Sequence, residues 1–168
     1  MALNMLRGTG EAWFIPSLSN GIQGGGPTED ELELGIKLGA GFNAINGLAR
    51  QRNPINTPVM RHRVELQIAG PEQFQSVSVT IVEEDGASVA AEALEREAIL
   101  TTMVEGAEGW LVFARYTQDP EVGDVLHYIG VTVDDQEPNW DLGAAAMTTN
   151  INLTPSTPLY KGVLAAGS

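Results

Sequence analysis

The sequence predicts a mainly β protein, an antiparallel β-sandwich or partly closed barrel with one flanking α-helix. Three observations predict it: apolar and polar residues alternate in several short segments, one stretch has helical periodicity, and Gly, Pro, Asn and Asp separate these segments. With 168 residues, the chain has the length of one domain. We expect seven or eight strands with one helix laid against them, a long projecting loop and an N-terminal arm.

The strands are predicted from alternation, which is typical of a sheet with one solvated and one buried face. The clearest alternating segments are residues 31–38, 61–69 and 76–82. Four later segments complete the predicted sheet, residues 109–116, 125–133, 139–153 and 159–164. The first of these four is apolar on both sides, which indicates a strand that is buried on both faces.

The helix is predicted over about residues 87–104, where apolar residues recur at helical spacing and Glu side chains occupy the other side. Gly106 and Gly109 follow this segment and favour its termination. The acidic polar side favours packing on a sheet over binding to a membrane surface. The side chains expected to dock on the sheet are Val89, Ala93, Leu94, Leu100 and Met103.

Residues 1–28 are predicted to form a flexible N-terminal arm, and residues 29–168 the single β domain. Three glycines and a proline in succession, residues 24–27, favour irregular backbone. Such an arm becomes ordered when it is tied down, either on its own domain or on a neighbouring subunit. The arm carries an apolar anchor, formed by the side chains of Trp13, Phe14 and Ile15.

Residues 40–60 are rich in Gly, Asn and Pro and are predicted to form a projecting loop or extended hairpin. The segment is too apolar for an idle loop, and arginines lie in it and just beyond it. These side chains are expected to contact a neighbouring subunit or ring. They are Phe42, Ile45, Leu48, Arg50, Arg52, Arg61 and Arg63. The alternative, a loop folded over its own core, stays open.

The net charge of −13 is unevenly placed along the chain. Residues 71–168 carry sixteen acidic and three basic groups, whereas residues 1–70 carry six of each. Such a surface repels phosphate and argues against tight DNA binding. No apolar run is long enough to span a bilayer, and the first residues lack the apolar segment of a secretory signal. The absence of Cys excludes disulfides and thiolate chemistry.

Residues for catalysis or cofactor binding are scarce in the sequence. There is no phosphate-binding GxxxxGK[ST] loop and no GxSxG nucleophile turn. His62 and His127 lie in alternating strands without an acidic residue at metal-ligand spacing. The acidic residues 83–85 and 134–135 are interpreted as solvated turns. We therefore predict no catalytic residue, no metal site and no cofactor.

Two other classes of function suit the sequence less well than a structural role. A small β-sandwich module that binds carbohydrate or peptide is the main alternative from another class. Such a module is expected to expose a cluster of aromatic side chains, but Trp13, Trp110 and Trp140 are dispersed along the sequence. An enzyme is the least favoured, because no plausible set of catalytic residues is found. The arm, the long loop and the confined acidic surplus instead suit a subunit of a closed ring.

The order of these features resembles the major tail tube proteins of long-tailed bacteriophages. The resemblance covers most of residues 30–168. It rests on the long loop from Ala40 to Val59, on two strands that lead to an Asp-Gly turn and one helix, and on a late hairpin whose loop ends in Gly123-Asp124 before a Val-rich strand. The closing strands, residues 139–164, are also similar. The aromatic anchor in the first 28 residues has no counterpart in this pattern.

The resemblance implies a β-sandwich that assembles with copies of itself into rings, which are hexameric and stack into a hollow tube. Four strands of each subunit line the tube, and the loop and arm contact the adjacent ring. Double-stranded DNA passes through without tight or specific binding, and a negatively charged lumen suits that task. The implied partners are further copies and other tail proteins, with no membrane. The implied location is the virion tail, after assembly in the host bacterial cytoplasm. A tail terminator, a connector or a capsid decoration protein is the structural alternative.

Overall fold

A computed structural model describes residues 10–16, 26–48, 50–52, 55–57, 66–68, 72–74, 76–83, 90–140 and 147–167. Within these ranges the chain forms twelve strands and two helices. In chain order they are β1 Glu11–Ile15, α1 Glu29–Leu34, β2 Ile36–Lys37, β3 Phe42–Asn46, β4 Arg50–Arg52, β5 Ile55–Thr57, β6 Leu66–Ile68, β7 Glu72–Phe74, β8 Val77–Val82, α2 Ala90–Thr102, β9 Glu108–Ala114, β10 Val125–Pro138, β11 Thr148–Pro155 and β12 Tyr160–Val163.

Eight of the strands form one antiparallel sheet in the order β2-β1-β9-β10-β11-β8-β3, with β12 beside β10. The long strand β10 joins the two halves of this sheet. Its first residues pair with β12 and its later residues with β11, whereas β9 pairs along the opposite edge. The sheet does not close into a barrel. The prediction of a mainly β, antiparallel fold is confirmed.

The main core lies on one side of the sheet. The sheet is curled, because strands that are far apart in the strand order contribute to this one core. The core combines side chains from β1 and β9 with side chains from β8 and β11, which lie towards the other end of the strand order. The rings of Phe42 in β3 and Phe113 in β9 lie 6.5 Å apart. α2 covers this core through Ile99 and Met103, which are fully buried.

A second, smaller core lies on the opposite side of β1, β9 and the first half of β10. Trp13, Val112 and Leu126 contribute to it from the sheet, and Leu32 of α1 and Leu164 cover it. Because successive residues of a strand point to opposite faces, β1 supplies alternate residues to the two cores. A strand that is buried on both faces needs a continuous apolar run, which is what residues 12–15 provide.

The prediction of residues 1–28 as an arm is wrong for residues 11–15. They form β1, which pairs with β2 on one edge and with β9 on the other. Trp13, Phe14 and Ile15 are buried in the chain's own cores, so they are not an anchor for a neighbouring subunit. Because the run is apolar at every position, it can bury side chains on both faces of a strand inside the sheet. This burial outweighs the preference of the glycines at residues 24–26 for irregular backbone. Residues 1–9 and 17–25 lie outside the described residues.

The predicted strand over residues 31–38 is also wrong, because its first half is helical. Thr28 is the N-cap of α1 and forms a capping box with Glu31. The Glu31 backbone N–H donates to the Thr28 hydroxyl over 3.3 Å, and the Thr28 N–H donates to the Glu31 carboxylate over 2.9 Å. Three acidic residues in the first turn also suit the positive end of the helix dipole. These local interactions outweigh the alternation, and only Ile36–Lys37 remains as a strand.

The predicted helix is present as α2, and Val89 lies outside the described residues. Met103 is buried, and Ala93 and Leu100 are half-buried. Leu94 is 68% exposed, so its predicted docking on the sheet is wrong. It precedes the buried Ile99 by five residues, which places it about 140° away around the helix axis.

Two side chains fix α2 to the sheet by hydrogen bonds. The Gln136 Nε2 group of β10 donates to the carbonyls of Leu100 and Met103 over 2.8 and 2.7 Å. The last carbonyls of a helix lack partners within the helix, so this amide serves as a C-terminal cap. Arg96 Nε donates to the Ala40 carbonyl over 2.8 Å and ties the middle of α2 to the segment before β3.

The segment predicted as a projecting loop, residues 40–60, has two parts. Phe42, Ile45 and Leu48 pack against the chain's own core, as in the alternative left open by the sequence, so these three do not project towards a neighbour. From Arg50 onwards, β4 pairs with β7, and β5 pairs with β6, in two-stranded ladders separate from the large sheet. We use the name arginine hairpin for residues 50–74, of which the structure describes β4, β5, β6 and β7.

A substitution pair on α2 tests its orientation. Ile99→Asp places an unpaired carboxylate in the main core, and we expect it to lower the free energy of unfolding by roughly 3 kcal/mol or more. Leu94→Asp introduces the same group on the exposed side and should change stability by no more than about 0.5 kcal/mol. Urea unfolding of the unassembled subunit measures both. Equal losses for the two variants contradict the orientation described here.

The side-chain cap on α2 gives a second prediction. Gln136→Leu removes the amide that caps Leu100 and Met103, and we expect a loss of about 1–3 kcal/mol because the two carbonyls lose their donor. The control is Glu137→Gln at the next, exposed position, which should alter stability by less than about 0.5 kcal/mol. A Gln136→Leu variant as stable in urea as this control shows that the cap does not stabilise α2.

Candidate functional site

A polar surface lies on the side of the sheet that faces away from the main core, across β3, β8, β11 and the second half of β10. Residues that are directly opposite in neighbouring antiparallel strands share a face. The registers therefore bring small hydroxyl and amide side chains together on this side. We name the surface the polar face; its uncharged polar members are Asn46, Ser78, Thr80, Thr132, Thr148, Asn150, Asn152 and Thr154.

Alternation along the strands produces this face. In β8, Val77, Val79 and Ile81 are completely buried in the main core, and the residues between them point the other way. In β11, Ile151 and Leu153 are buried in the same core. In β8 and β11 the apolar side is thus buried in the chain's own interior, and the polar side is left accessible.

Cross-strand hydrogen bonds order the side chains of the polar face. The Thr80 hydroxyl donates to Asn150 Oδ1 over 2.8 Å. Asn152 Nδ2 donates to Asp135 Oδ1 over 2.7 Å, and the Thr154 hydroxyl donates to Asp134 Oδ2 over 2.8 Å. These contacts link β8, β11 and β10, so the face is held as one surface.

The position of Asp134 and Asp135 differs from the prediction of a solvated turn. Both lie inside β10, and the register with β11 shifts between Val133 and Asp135. A bulge of this kind adds one residue to a strand, so two consecutive side chains reach the same neighbour. It places both carboxylates on the polar face, where they accept the hydrogen bonds from β11.

The polar face is acidic. Asp134, Asp135 and Glu137 are exposed on β10, and the register places Glu137 opposite Asn150. No Lys or Arg is among the residues of β3, β8, β10 and β11 that face this side. The surface therefore presents hydroxyls, amides and carboxylates, with no cation to hold an anionic ligand.

The predicted contact residues do not come together into one site. Trp13, Phe14 and Ile15 lie in the interior, and the three apolar side chains of the predicted loop pack on the main core. Arg52 is exposed in β4, and Arg50 lies in the same strand. Arg61 and Arg63 lie outside the described residues. The polar face was not predicted, although Ser, Thr and Asn occupy alternate positions in residues 76–82 and 148–154.

Two neighbouring residues of β10, His127 and Tyr128, have shifted pKa values. Burial, followed by the positive charges of Arg115 and Lys161, lowers the pKa of His127. Its Nδ1 atom is buried and has no hydrogen-bond partner among the described residues. Burial, followed by Tyr160, raises the pKa of Tyr128. Both groups are therefore uncharged near pH 7.

No group of three or more His, Asp or Glu side chains is arranged to hold a metal ion in the described part of the chain. Neither helix is long and apolar enough to cross a membrane. An open depression of about 530 Å³ lies between β1, β9 and α2, and its charged lining residues are Glu11, Glu92, Glu95 and Arg115.

The fold and the polar face define a β-sandwich-like subunit with one side of its sheet folded on its own core and the other presented outward. The chain belongs to the phage tail tube protein family, whose model matches residues 2–167. The family is one of structural proteins, so the chain is a structural component of a virion tail and not an enzyme. The predicted resemblance is thereby confirmed.

Three solved structures are similar to the chain at low sequence identity. A chain in the cryo-EM structure of the anti-feeding prophage (AFP) baseplate, symmetrised six-fold, is similar with a TM-score of 0.53 at 10% identity, over 91% of each chain. Two chains come from an extracellular contractile injection system, PVC. The first, from its sheath/tube terminator in the extended state, has a TM-score of 0.47 at 12% identity, over 92% of this chain and 93% of that chain. The second, from its sheath-tube complex in the extended state, has a TM-score of 0.45 at 14% identity, over 93% and 89%. No curated protein matches the chain in sequence.

An isosteric pair of substitutions tests the assignment of the two faces. Val79→Thr buries a hydroxyl in the main core, and we expect it to lower the free energy of unfolding by about 1–3 kcal/mol. Thr80→Val, at the next position of β8, removes one hydrogen bond on the polar face and should cost no more than about 1 kcal/mol. The same urea titration serves for both variants. A larger loss for Thr80→Val than for Val79→Thr means that the faces are assigned the wrong way round.

Proposed function

We propose that the chain assembles with copies of itself into hexameric rings that stack into the tube of a phage tail, and that the polar face lines the channel through which DNA leaves the head. The polar face is the observation that carries this proposal. It is four strands wide, it is accessible, and its other side is already buried in the chain's own core. Membership of the tail tube family supports the same role.

The strand edges at the two margins of the polar face support a continuous wall. β3 is the last strand of the sheet on one side. On the other side, β9 pairs with β10 only as far as Thr132, and from Asp134 to Pro138 no described strand pairs with that edge of β10. Unpaired edges are ready to pair with another chain. A ring that joins these two edges extends the sheet from copy to copy.

The width of the polar face is consistent with six copies in a ring. Four strands per copy, spaced about 4.8 Å apart, give a circumference of roughly 115 Å for six copies and about 37 Å between backbones across the channel, and more if the strands tilt. That is wider than a DNA duplex with room for the lining side chains. Three copies leave only about 18 Å between backbones. The AFP baseplate that contains the similar chain was symmetrised six-fold.

The electrostatics of the polar face suit a conduit. DNA binds proteins tightly when Lys and Arg neutralise phosphates and release counterions. On this face, Asp134, Asp135 and Glu137 repel phosphate, and the remaining side chains are short and uncharged. Duplex DNA therefore passes the wall without being held by it.

The arginine hairpin is proposed to contact the adjacent ring. It carries Arg50, Arg52, Arg61 and Arg63 but only two acidic residues, whereas the chain as a whole has a net charge of −13. Its strands pair with one another and lie outside the large sheet. Contacts between the hairpin and the acidic body of the next ring complement each other in charge and set the register of stacking. Contacts with other tail proteins and assembly in the host cytoplasm belong to the same proposal.

Assembly and charge reversal together test this proposal. We expect the purified protein to form rings or tubes at high concentration in electron micrographs. Tubes assembled from a triple variant, Asp134→Lys with Asp135→Lys and Glu137→Lys, in the presence of duplex DNA should retain DNA that a nuclease cannot reach. Wild-type tubes should retain none, because their channel repels phosphate.

The matched control reverses three exposed acidic residues away from the polar face, Glu29→Lys with Glu33→Lys and Glu121→Lys. DNA bound to these tubes should lie outside and be digested. Compact monomers at every concentration and salt level contradict assembly. Tubes of the first variant whose DNA is fully digested contradict the placement of the polar face in the channel.

A further inference from the structure

The core-facing side of the sheet is incompletely covered at the end where β12 joins β10. Val125 and Val163 are directly opposite each other in these strands, and they are 47% and 49% exposed. The next pair on the same side is His127 with Lys161. His127 is in turn opposite Phe113, which packs against the main core. The apolar side of the sheet thus continues beyond the chain's own core as an exposed patch.

The margin of this patch carries two cations, Arg115 and Lys161, and Arg115 also lines the depression that Glu11, Glu92 and Glu95 of the same chain line. Arg115 and Lys161 are both exposed, and both are close enough to His127 to lower its pKa, whereas no carboxylate acts on it. The Arg115 guanidinium lies 5.7 Å from the centre of the Tyr116 ring. Within the described residues, neither cation forms a salt bridge. We name this surface the valine patch: Val125 and Val163 at the centre, with Arg115 and Lys161 at the margin.

A second exposed apolar surface lies on the outward side of α2. Leu94 is at its centre, with Ala91 and Ala98 on the same side of the helix. The exposed carboxylates of Glu95 and Glu97 flank it. We name this surface the leucine patch. It has an apolar centre and an acidic margin, the opposite charge to the valine patch.

We propose that the leucine patch of one copy docks on the valine patch of the next copy around the ring. This inference rests on the proposed ring assembly and adds the surfaces that meet. Two copies with a net charge of −13 repel each other, so a lateral contact is favourable where cations of one copy face carboxylates of the other. Burial of the exposed valines and leucine supplies the apolar part of the contact.

The charges favour this pairing over the other uses of the two patches. If a valine patch meets the valine patch of another copy, Arg115 and Lys161 face the same two cations and repel them. If two leucine patches meet, the glutamates of both copies repel each other. Two other described cations are engaged within the chain: Lys37 pairs with Asp119, and Arg96 donates to the Ala40 carbonyl. A contact between two different surfaces is heterologous, and such contacts generate closed rings when the rotation closes.

Cross-linking between cysteine variants tests the contact, because the chain has no cysteine of its own. Leu94→Cys and Val125→Cys are prepared separately, mixed under assembly conditions and treated with a short flexible thiol cross-linker. We expect dimers in the mixture at a level at least ten-fold above either variant alone. The control mixture replaces Leu94→Cys with Leu34→Cys, a residue of α1 that is 76% exposed and outside both patches.

Charge exchange supplies a second readout. Lys161→Glu should reduce the assembled fraction at least ten-fold at a fixed protein concentration without changing the thermal unfolding of the monomer. Glu97→Lys added to Lys161→Glu should restore assembly. If wild-type tubes form but the test mixture cross-links no more than the control mixture, the proposed docking is overturned while the proposed ring assembly stands. Cross-links within Val125→Cys alone at the level of the mixture also overturn it. If the wild-type chain forms no ring, both the docking and the proposed function fail.

Discussion

The structure depends on a change in the surroundings of one long strand, β10. From Leu126 to Val131 the side chains of one face lie in the main core, and those of the other face lie in the second core, which α1 and Leu164 cover. Along its second half only the core side is covered, and the other side carries the polar face. The register shift after Val133 lies in this second half and turns two successive carboxylates to the same side. The strand thus joins a buried half of the sheet to a half with an accessible face.

This division separates the side chains that stabilise the subunit from those that would line the proposed channel. The free energy of folding comes from apolar side chains that the curled sheet and the two helices remove from water. The polar face contributes little to that burial, so its side chains can be chosen for the channel. Small hydroxyls, amides and carboxylates on this face stay solvated in the free subunit and do not hold DNA in the proposed tube.

Much of the sheet could be predicted because alternation is a local property. Residues 76–82 alternate strictly, and they form β8 with the predicted side buried. Periodicity predicts the helix correctly, but it predicts the buried side only in part. Leu94 is exposed and lies about 140° around the helix axis from the buried Ile99. The alternation in residues 31–38 was misleading because the capping box of Thr28 and Glu31, visible in the sequence, favours a helix there.

The remaining errors concern long-range packing. Residues 12–15 are apolar at every position, a pattern that suits a strand buried on both faces, but this cannot be distinguished locally from an anchor on an arm. Their partners in β2 and β9 lie far away along the chain. The polar face depends on the register of four strands, and the place of Asp134 and Asp135 on it depends on a bulge, which alternation alone does not reveal. The family resemblance implies that four strands of each subunit line a tube, but it does not indicate which side chains would face the channel.

A side-chain-resolution cryo-EM map of assembled tubes tests the central claim most directly. The account predicts that Thr80, Asn150 and Asp135 line the channel, with Val79 and Ile151 inside the wall. A map in which α2 or the arginine hairpin faces the channel, and the polar face lies on the outside of the tube, contradicts it.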